Sequence, residues 1–99
     1  MPEKEYRASR ICRVLGNPTA YCIIKILRPT EKKSPTEIAK EIGSSVSNIS
    51  KTLRLLRQID LVRYDTERNQ KRYYLKENDI LRIFQSLEGL VEKIRHKKY

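Results

Sequence analysis

Ser47, Asn48, Ser50, Lys51 and Arg54 fall within one short stretch and supply hydroxyl, amide and cationic hydrogen-bonding groups. Such groups match the edges of bases in a DNA major groove, where Asn can pair bidentately with adenine and Lys with guanine. A second cluster, Arg68, Asn69, Gln70, Lys71 and Arg72, joins three cations to two amides, a set suited to phosphate oxygens and groove edges. Thr36 and Ser45 stand where helices are expected to begin, positions at which backbone N–H groups favour phosphate. The residues of catalysis are missing. His96 is the single histidine, in a basic tail, and there is no Ser–His or Cys–His set, phosphate loop or acidic pair in a recognisable cleft. Cys12 and Cys22 lie ten apart without a CxxC pattern and are read as small core residues, a disulfide or redox pair being the sharper alternative.

The first cluster needs an element to present it, and residues 34–62, SPTEIAKEIGSSVSNISKTLRLLRQIDLV, provide one. Ser34 and Glu37 form a capping box with Pro35 at the first helical position. Ile38, Ala39 and Ile42 make one apolar face, and Gly43 supplies a left-handed stop. Ser44 or Ser45 caps a second helix with a buried stripe of Ile49, Leu53 and Leu56, and Val46 one turn earlier. Ser47, Asn48, Ser50, Lys51 and Arg54 occupy the opposite face, as in a helix-turn-helix. The alternative is an αα-hairpin that touches no nucleic acid. The second cluster needs a hairpin. Val62 and Tyr64 alternate with Arg63 and Asp65, and Tyr73 and Leu75 with Tyr74 and Lys76, around a polar tip, Thr66–Arg72, in which Asn69 forms the turn. A hairpin directly after a recognition helix is a wing.

Upstream, residues 1–5 are expected to fray. A helix from about Tyr6 to Leu15 carries Ala8, Ile11, Cys12 and Leu15 on one face and ends at Gly16. Asn17 and Pro18 open a second, running to about Arg28 and apolar nearly all round, which should be the most buried element. Asn78 or Asp79 opens a last helix, from Ile80 to roughly Lys97, in which Ile80, Ile83, Leu87, Leu90 and Ile94 form a seam of alternating threes and fours. At ~1.5 Å per residue that helix outreaches one small domain, so the seam is expected to pair with a second copy, while Phe84 and Val91 can fold back on their own domain. Ninety-nine residues make one domain, with residues 6–76 as core and wing and 78–97 as dimerisation helix. A net charge of +10 points to a polyanion, nucleic acid before membrane. With no membrane span or signal-peptide pattern, a cytoplasmic location is expected.

The order of these pieces resembles the ArsR/SmtB-like winged-helix transcription regulators. Leu15-Gly16-Asn17-Pro18-Thr19, Glu37-Ile38-Ala39, Ile42-Gly43, Ser45, Ser50, Leu53, Leu56-Arg57, Leu61-Val62 and Tyr73-Tyr74-Leu75 carry the resemblance, across residues 6–97. It implies a mainly α fold with a small hairpin, and a homodimer, built through first and last helices, on palindromic operator DNA. Metal-sensing members carry a cysteine pair in the helix that opens the helix-turn-helix; residues 36–42 here have none, so no metal or other cofactor is expected. Asp60 replaces the usual glycine and the wing also lacks glycine, so a longer or looser hairpin tip is expected. The leading expectation is a dimeric, sequence-specific regulator, a repressor by preference, whose effector the sequence does not name. A non-specific architectural DNA-binding protein and a winged-helix module that binds protein are the alternatives.

Overall fold

Asn17 accepts hydrogen bonds from the backbone N–H groups of Thr19 and Ala20, and Pro18 fixes the first turn, so a helix must start here. That helix lies at the centre of the fold. In the computed structural model, which describes residues 2–96, the order is α1 (Glu3–Leu15), α2 (Pro18–Ile26), α3 (Pro35–Ile42), α4 (Val46–Gln58), β1 (Val62–Glu67), β2 (Gln70–Leu75) and α5 (Asp79–His96). Ala20, Ile23 and Ile24 of α2 are fully enclosed, with Ile38 of α3, Ile49, Leu53 and Leu56 of α4, Val62 and Leu75 of the hairpin and Phe84 of α5. The architecture is mainly α with one antiparallel hairpin.

The capping box is present in full: Ser34 accepts from the Glu37 N–H at 3.2 Å, and Glu37 accepts from the Ser34 N–H at 2.9 Å. Gly43 closes α3 with φ 80°, a left-handed conformation that glycine adopts without strain. Ser45 caps α4 by accepting from the Asn48 N–H at 3.1 Å. Asp60 takes the left-handed turn after α4 with φ 61°, which a short polar side chain tolerates.

Several expectations are corrected. Helix α1 begins at Glu3 rather than Tyr6, because Pro2 sets its start and Glu3 and Glu5 complement the positive end of the helix dipole. None of its residues is buried, so Cys12 is exposed; Cys22, on the outer side of α2, is exposed too. Neither is a core residue. Helix α2 stops at Ile26, two residues early, since Arg28 precedes Pro29 and is driven from the helical region; Leu27 turns extended yet stays buried. Val46 is 45% exposed and so stands outside the stripe of Ile49, Leu53 and Leu56.

The hairpin is tighter than expected. Its strands pair from Val62↔Leu75 to Glu67↔Gln70, leaving only Arg68 and Asn69 in the turn, at φ 51° and 63°. Two positive φ values suit the right-handed twist of a two-residue hairpin, and Arg68 and Asn69 supply them without glycine. Lys33 forms a single antiparallel bridge to β2, exchanging backbone hydrogen bonds of 2.9 and 2.7 Å with Tyr73.

The first half of helix α5 is anchored to α2. Phe84 stacks on Tyr21 with ring centroids 3.9 Å apart, and Glu88 accepts from the Tyr21 hydroxyl at 2.6 Å and pairs with Lys25 at 2.8 Å. Burial, then the Glu88 carboxylate, push the Tyr21 phenol up to about 12. Ile80 is 7% exposed and belongs to the protomer's own core, so it leaves the expected seam. Val91, expected to fold back with Phe84, is exposed. Lys97, the expected end of the helix, lies outside the described residues.

Candidate nucleic-acid interface

At ~3.6 residues per turn, burying Ile49, Thr52, Leu53 and Leu56 leaves Ser47, Lys51, Arg54 and Gln58 as one outward stripe on α4. Lys51 and Arg54 pair with no carboxylate among the described residues, so their charge is available to a partner. Asn48 sits on the shoulder of this face, with its amide nitrogen donating to Ser44 Oγ at 2.9 Å and its amide oxygen left to accept. Ser50, on the other shoulder, is half-buried. Thr36 is exposed in the first turn of α3.

Arg68 and Asn69 project at the hairpin tip, and Gln70 and Lys71 are exposed on β2. The Tyr64 ring has the Lys71 ammonium 5.0 Å and the Arg57 guanidinium 4.7 Å from its centroid, so cations from wing and recognition helix converge on it. Asp65 and Glu67 on the wing pair with Lys32 at 2.7 and 3.2 Å, and those carboxylates in turn hold the Lys32 ammonium charged to higher pH than usual. The wing's acids thus have their own counter-ion, and Arg68 and Lys71 keep an unneutralised surface. Arg72 differs from its neighbours. Its guanidinium turns inward to Glu37 at 3.1 Å and to the Lys32 carbonyl at 3.0 Å.

Sequence patterning overlooks two residues on this surface. Gln58 continues the spacing of Ser47, Lys51 and Arg54 by one more turn, a signal already present in the periodicity. Val46 is spaced with Ile49 and Leu53 on the inward side, yet it opens α4 and stays exposed. It adds an apolar group of the kind that meets a thymine methyl.

No three His, Cys, Asp or Glu side chains gather as a metal would require among the described residues, and no described helix is long and apolar enough to cross a membrane.

A helix-turn-helix followed directly by a two-stranded hairpin, with exposed cations on both, defines a winged helix-turn-helix protein. The chain belongs to the helix-turn-helix domain family, which matches residues 15–65. Solved structures share the whole arrangement. NolR from Sinorhizobium fredii superposes with a TM-score of 0.77 at 23% identity, over 89% of this chain and 87% of that one. HlyU from Vibrio cholerae gives 0.76 at 22%, over 91% and 97%. Mb0332 from Mycobacterium bovis, described as a homodimeric winged helix-turn-helix DNA-binding domain and a possible ArsR-family regulator, gives 0.76 at 18%, over 100% and 97%. The fold is therefore the winged helix-turn-helix fold that these proteins share, the one the resemblance to ArsR/SmtB-like regulators implies. No curated protein matches the chain.

Proposed function

We propose that this protein is a homodimeric, sequence-specific DNA-binding regulator of transcription, a repressor on an inverted-repeat operator, and not an enzyme. The observation that carries the reading is the outward stripe of α4, where Lys51 and Arg54 have no carboxylate partner among the described residues, beside a wing whose acids are already neutralised. In this reading α4 enters the major groove, with Ser47, Asn48, Lys51 and Arg54 at base edges and Val46 against a thymine methyl. Ser45, Ser50 and Thr36 meet phosphates, the first and last close to helix N-termini. Arg68, Asn69, Gln70 and Lys71 follow the backbone beside the minor groove. Residues 6–76 are the reading head. The exposed side chains of α5, Ile83, Leu87, Leu90 and Ile94, join two protomers and set two half-sites about one helical turn apart. Such a regulator acts in the cytoplasm with its DNA. An apolar cleft of about 420 Å³ between α1 and α5, lined by Ala8, Ile11, Leu15, Ile83 and Leu87, lies beside the seam and supports covering by a second copy.

Selection of bound duplexes from a random pool tests the reading. An inverted repeat should emerge. On it, Asn48→Ala should lose about 1–3 kcal/mol, with much less lost on random DNA. Lys71→Ala should weaken both alike and flatten the log K against log salt slope by ~0.9 for each phosphate no longer neutralised. Equal losses on both duplexes for Asn48→Ala would move specificity out of α4 and favour an architectural protein.

A further inference from the structure

Arg72 lies on β2 between Lys71 and Tyr73, in a hairpin of cations, and its residue type alone suggests one more phosphate ligand. Its surroundings argue otherwise. One nitrogen, Nη2, donates to the Lys32 carbonyl at 3.0 Å and meets Glu37 Oε1 at 3.1 Å, while Nε lies 3.6 Å from Glu67 Oε1. The same Glu37 oxygen accepts the Ser34 N–H that starts α3. A single carboxylate oxygen therefore bridges the first residue of the helix-turn-helix to the second strand of the wing. The Arg72 side chain is 27% exposed. Nη2 and Nε are already taken by a carbonyl and two carboxylates, and a phosphate approaching the guanidinium from its remaining side would meet a cation neutralised by Glu37 and Glu67, whose charges oppose it.

We infer that Arg72 and Glu37 form a clamp that sets the wing's position against the recognition helix, and that Arg72 is a positioning residue rather than a DNA ligand. The inference rests on the DNA-binding reading above. Three connections make the clamp directional. Glu37 belongs to α3, which packs on α4 through Ala39 and Ile38 and so carries the frame of the recognition helix. The Lys32 carbonyl belongs to the segment whose next residue, Lys33, pairs with Tyr73 through two backbone hydrogen bonds. Glu67 sits at the end of β1, opposite Gln70, immediately before the turn. Arg72 thus ties α3, the loop before it and the hairpin near its tip, and Lys71 is its immediate neighbour. A hairpin of two strands has little rigidity of its own, so the placement of Lys71 and Arg68 against DNA depends on these ties.

The sign of one substitution separates clamp from phosphate ligand. Glu37→Gln keeps the oxygen that accepts from Ser34 and removes the charge that holds Arg72. If Arg72 binds phosphate, losing a nearby negative charge leaves DNA affinity unchanged or improves it. If Arg72 is a clamp, affinity falls, by about two- to five-fold per wing for a partly exposed pair, and the salt slope becomes shallower although an acid has been removed. The cost of Lys71→Ala should also shrink in the Glu37→Gln background, because a loosened wing no longer holds Lys71 against its phosphate. General destabilisation would not produce this coupling, and thermal unfolding in parallel fixes the folded fraction. Arg72→Lys gives a second, independent variant. Lysine keeps the charge for a phosphate but offers one nitrogen in place of Nη2 and Nε, so it cannot hold Lys32 and Glu37 together with Glu67; a clamp weakens and a phosphate ligand survives. Tighter or unchanged binding by Glu37→Gln, with Arg72→Lys at wild-type affinity, overturns the inference while leaving the DNA-binding reading intact. Failure of the wild-type chain to bind any duplex removes that reading and the inference with it.

Discussion

Leu90→Glu should convert a dimer into folded monomers. Leu90 lies on α5 beyond Glu88, which ties the helix to Tyr21 and Lys25, and glutamate is itself a good helix former. The protomer should therefore tolerate the change. Ile83, Leu87, Leu90, Val91 and Ile94 are each 47–54% exposed. Covering the remaining half of such a side chain yields about 1 kcal/mol, half of the ~1.5–3 kcal/mol for full burial. Five per protomer give on the order of 10 kcal/mol for the pair, set against an association cost of ~4–15 kcal/mol. The surplus is small, and one charge decides it. Leu90→Glu removes about 2 kcal/mol of burial from the two protomers and asks two carboxylates to leave water, at several kcal/mol more. A loss of about 4 kcal/mol or more corresponds to roughly a thousand-fold weaker dimer. Sedimentation velocity over a concentration series reads this directly, and thermal unfolding at low concentration checks the protomer. A variant with the wild-type dimer constant would show that Leu90 stays in solvent and that the seam lies elsewhere.

Three further perturbations probe the fold. Asn69→Gly should move urea unfolding by no more than ~0.5 kcal/mol, because the strain that glycine relieves at φ 63° is offset by the greater freedom it gives the unfolded chain. Cys22→Ser should change stability by no more than ~0.5 kcal/mol, because Cys22 is exposed; a loss above ~2 kcal/mol would mean that it packs in the core after all. Stability should fall on acidification: backbone hydrogen bonding at Ser34 for Glu37, Lys76 for Asp60 and Lys25 for Glu88 hold these carboxyls below their ordinary range. Their folded values lie below the unfolded ones, so the unfolded chain binds protons first, and stability present above about pH 4 drains as pH falls through the lowered values. Constant stability from about pH 6 to about pH 3 would refute that assignment.

What the sequence discloses here divides along a physical line. Caps and turns are local, set by a few neighbouring residues, and Ser34–Glu37, Asn17–Pro18, Gly43 and Ser45 all do in the structure what their spacing predicts. The two-residue turn escapes such reading because Arg68 is an unusual occupant of a left-handed site, which arginine enters only when strand register imposes it. Faces are a different matter. Helical periodicity says which residues share a side, but not whether that side meets the protomer's own core or something outside it. Cys12 and Cys22 have core-like types and exposed positions, Val46 is apolar and faces out, and Ile80 has seam spacing yet fills its own core. Arg72 shows the same ambiguity in charge: its type fits a phosphate, and only the proximity of Glu37, thirty-five positions earlier in the chain, assigns it inward. The residues hardest to assign are thus those whose partner is remote in sequence or outside the chain. On this protein they are also the ones that would join recognition helix, wing and dimer helix into one DNA-binding unit. A recognition helix can be recognised by its own spacing, but the geometry that aims it is written in pairs, and pairs such as Glu37–Arg72 and Tyr21–Glu88 become visible only once the chain has folded.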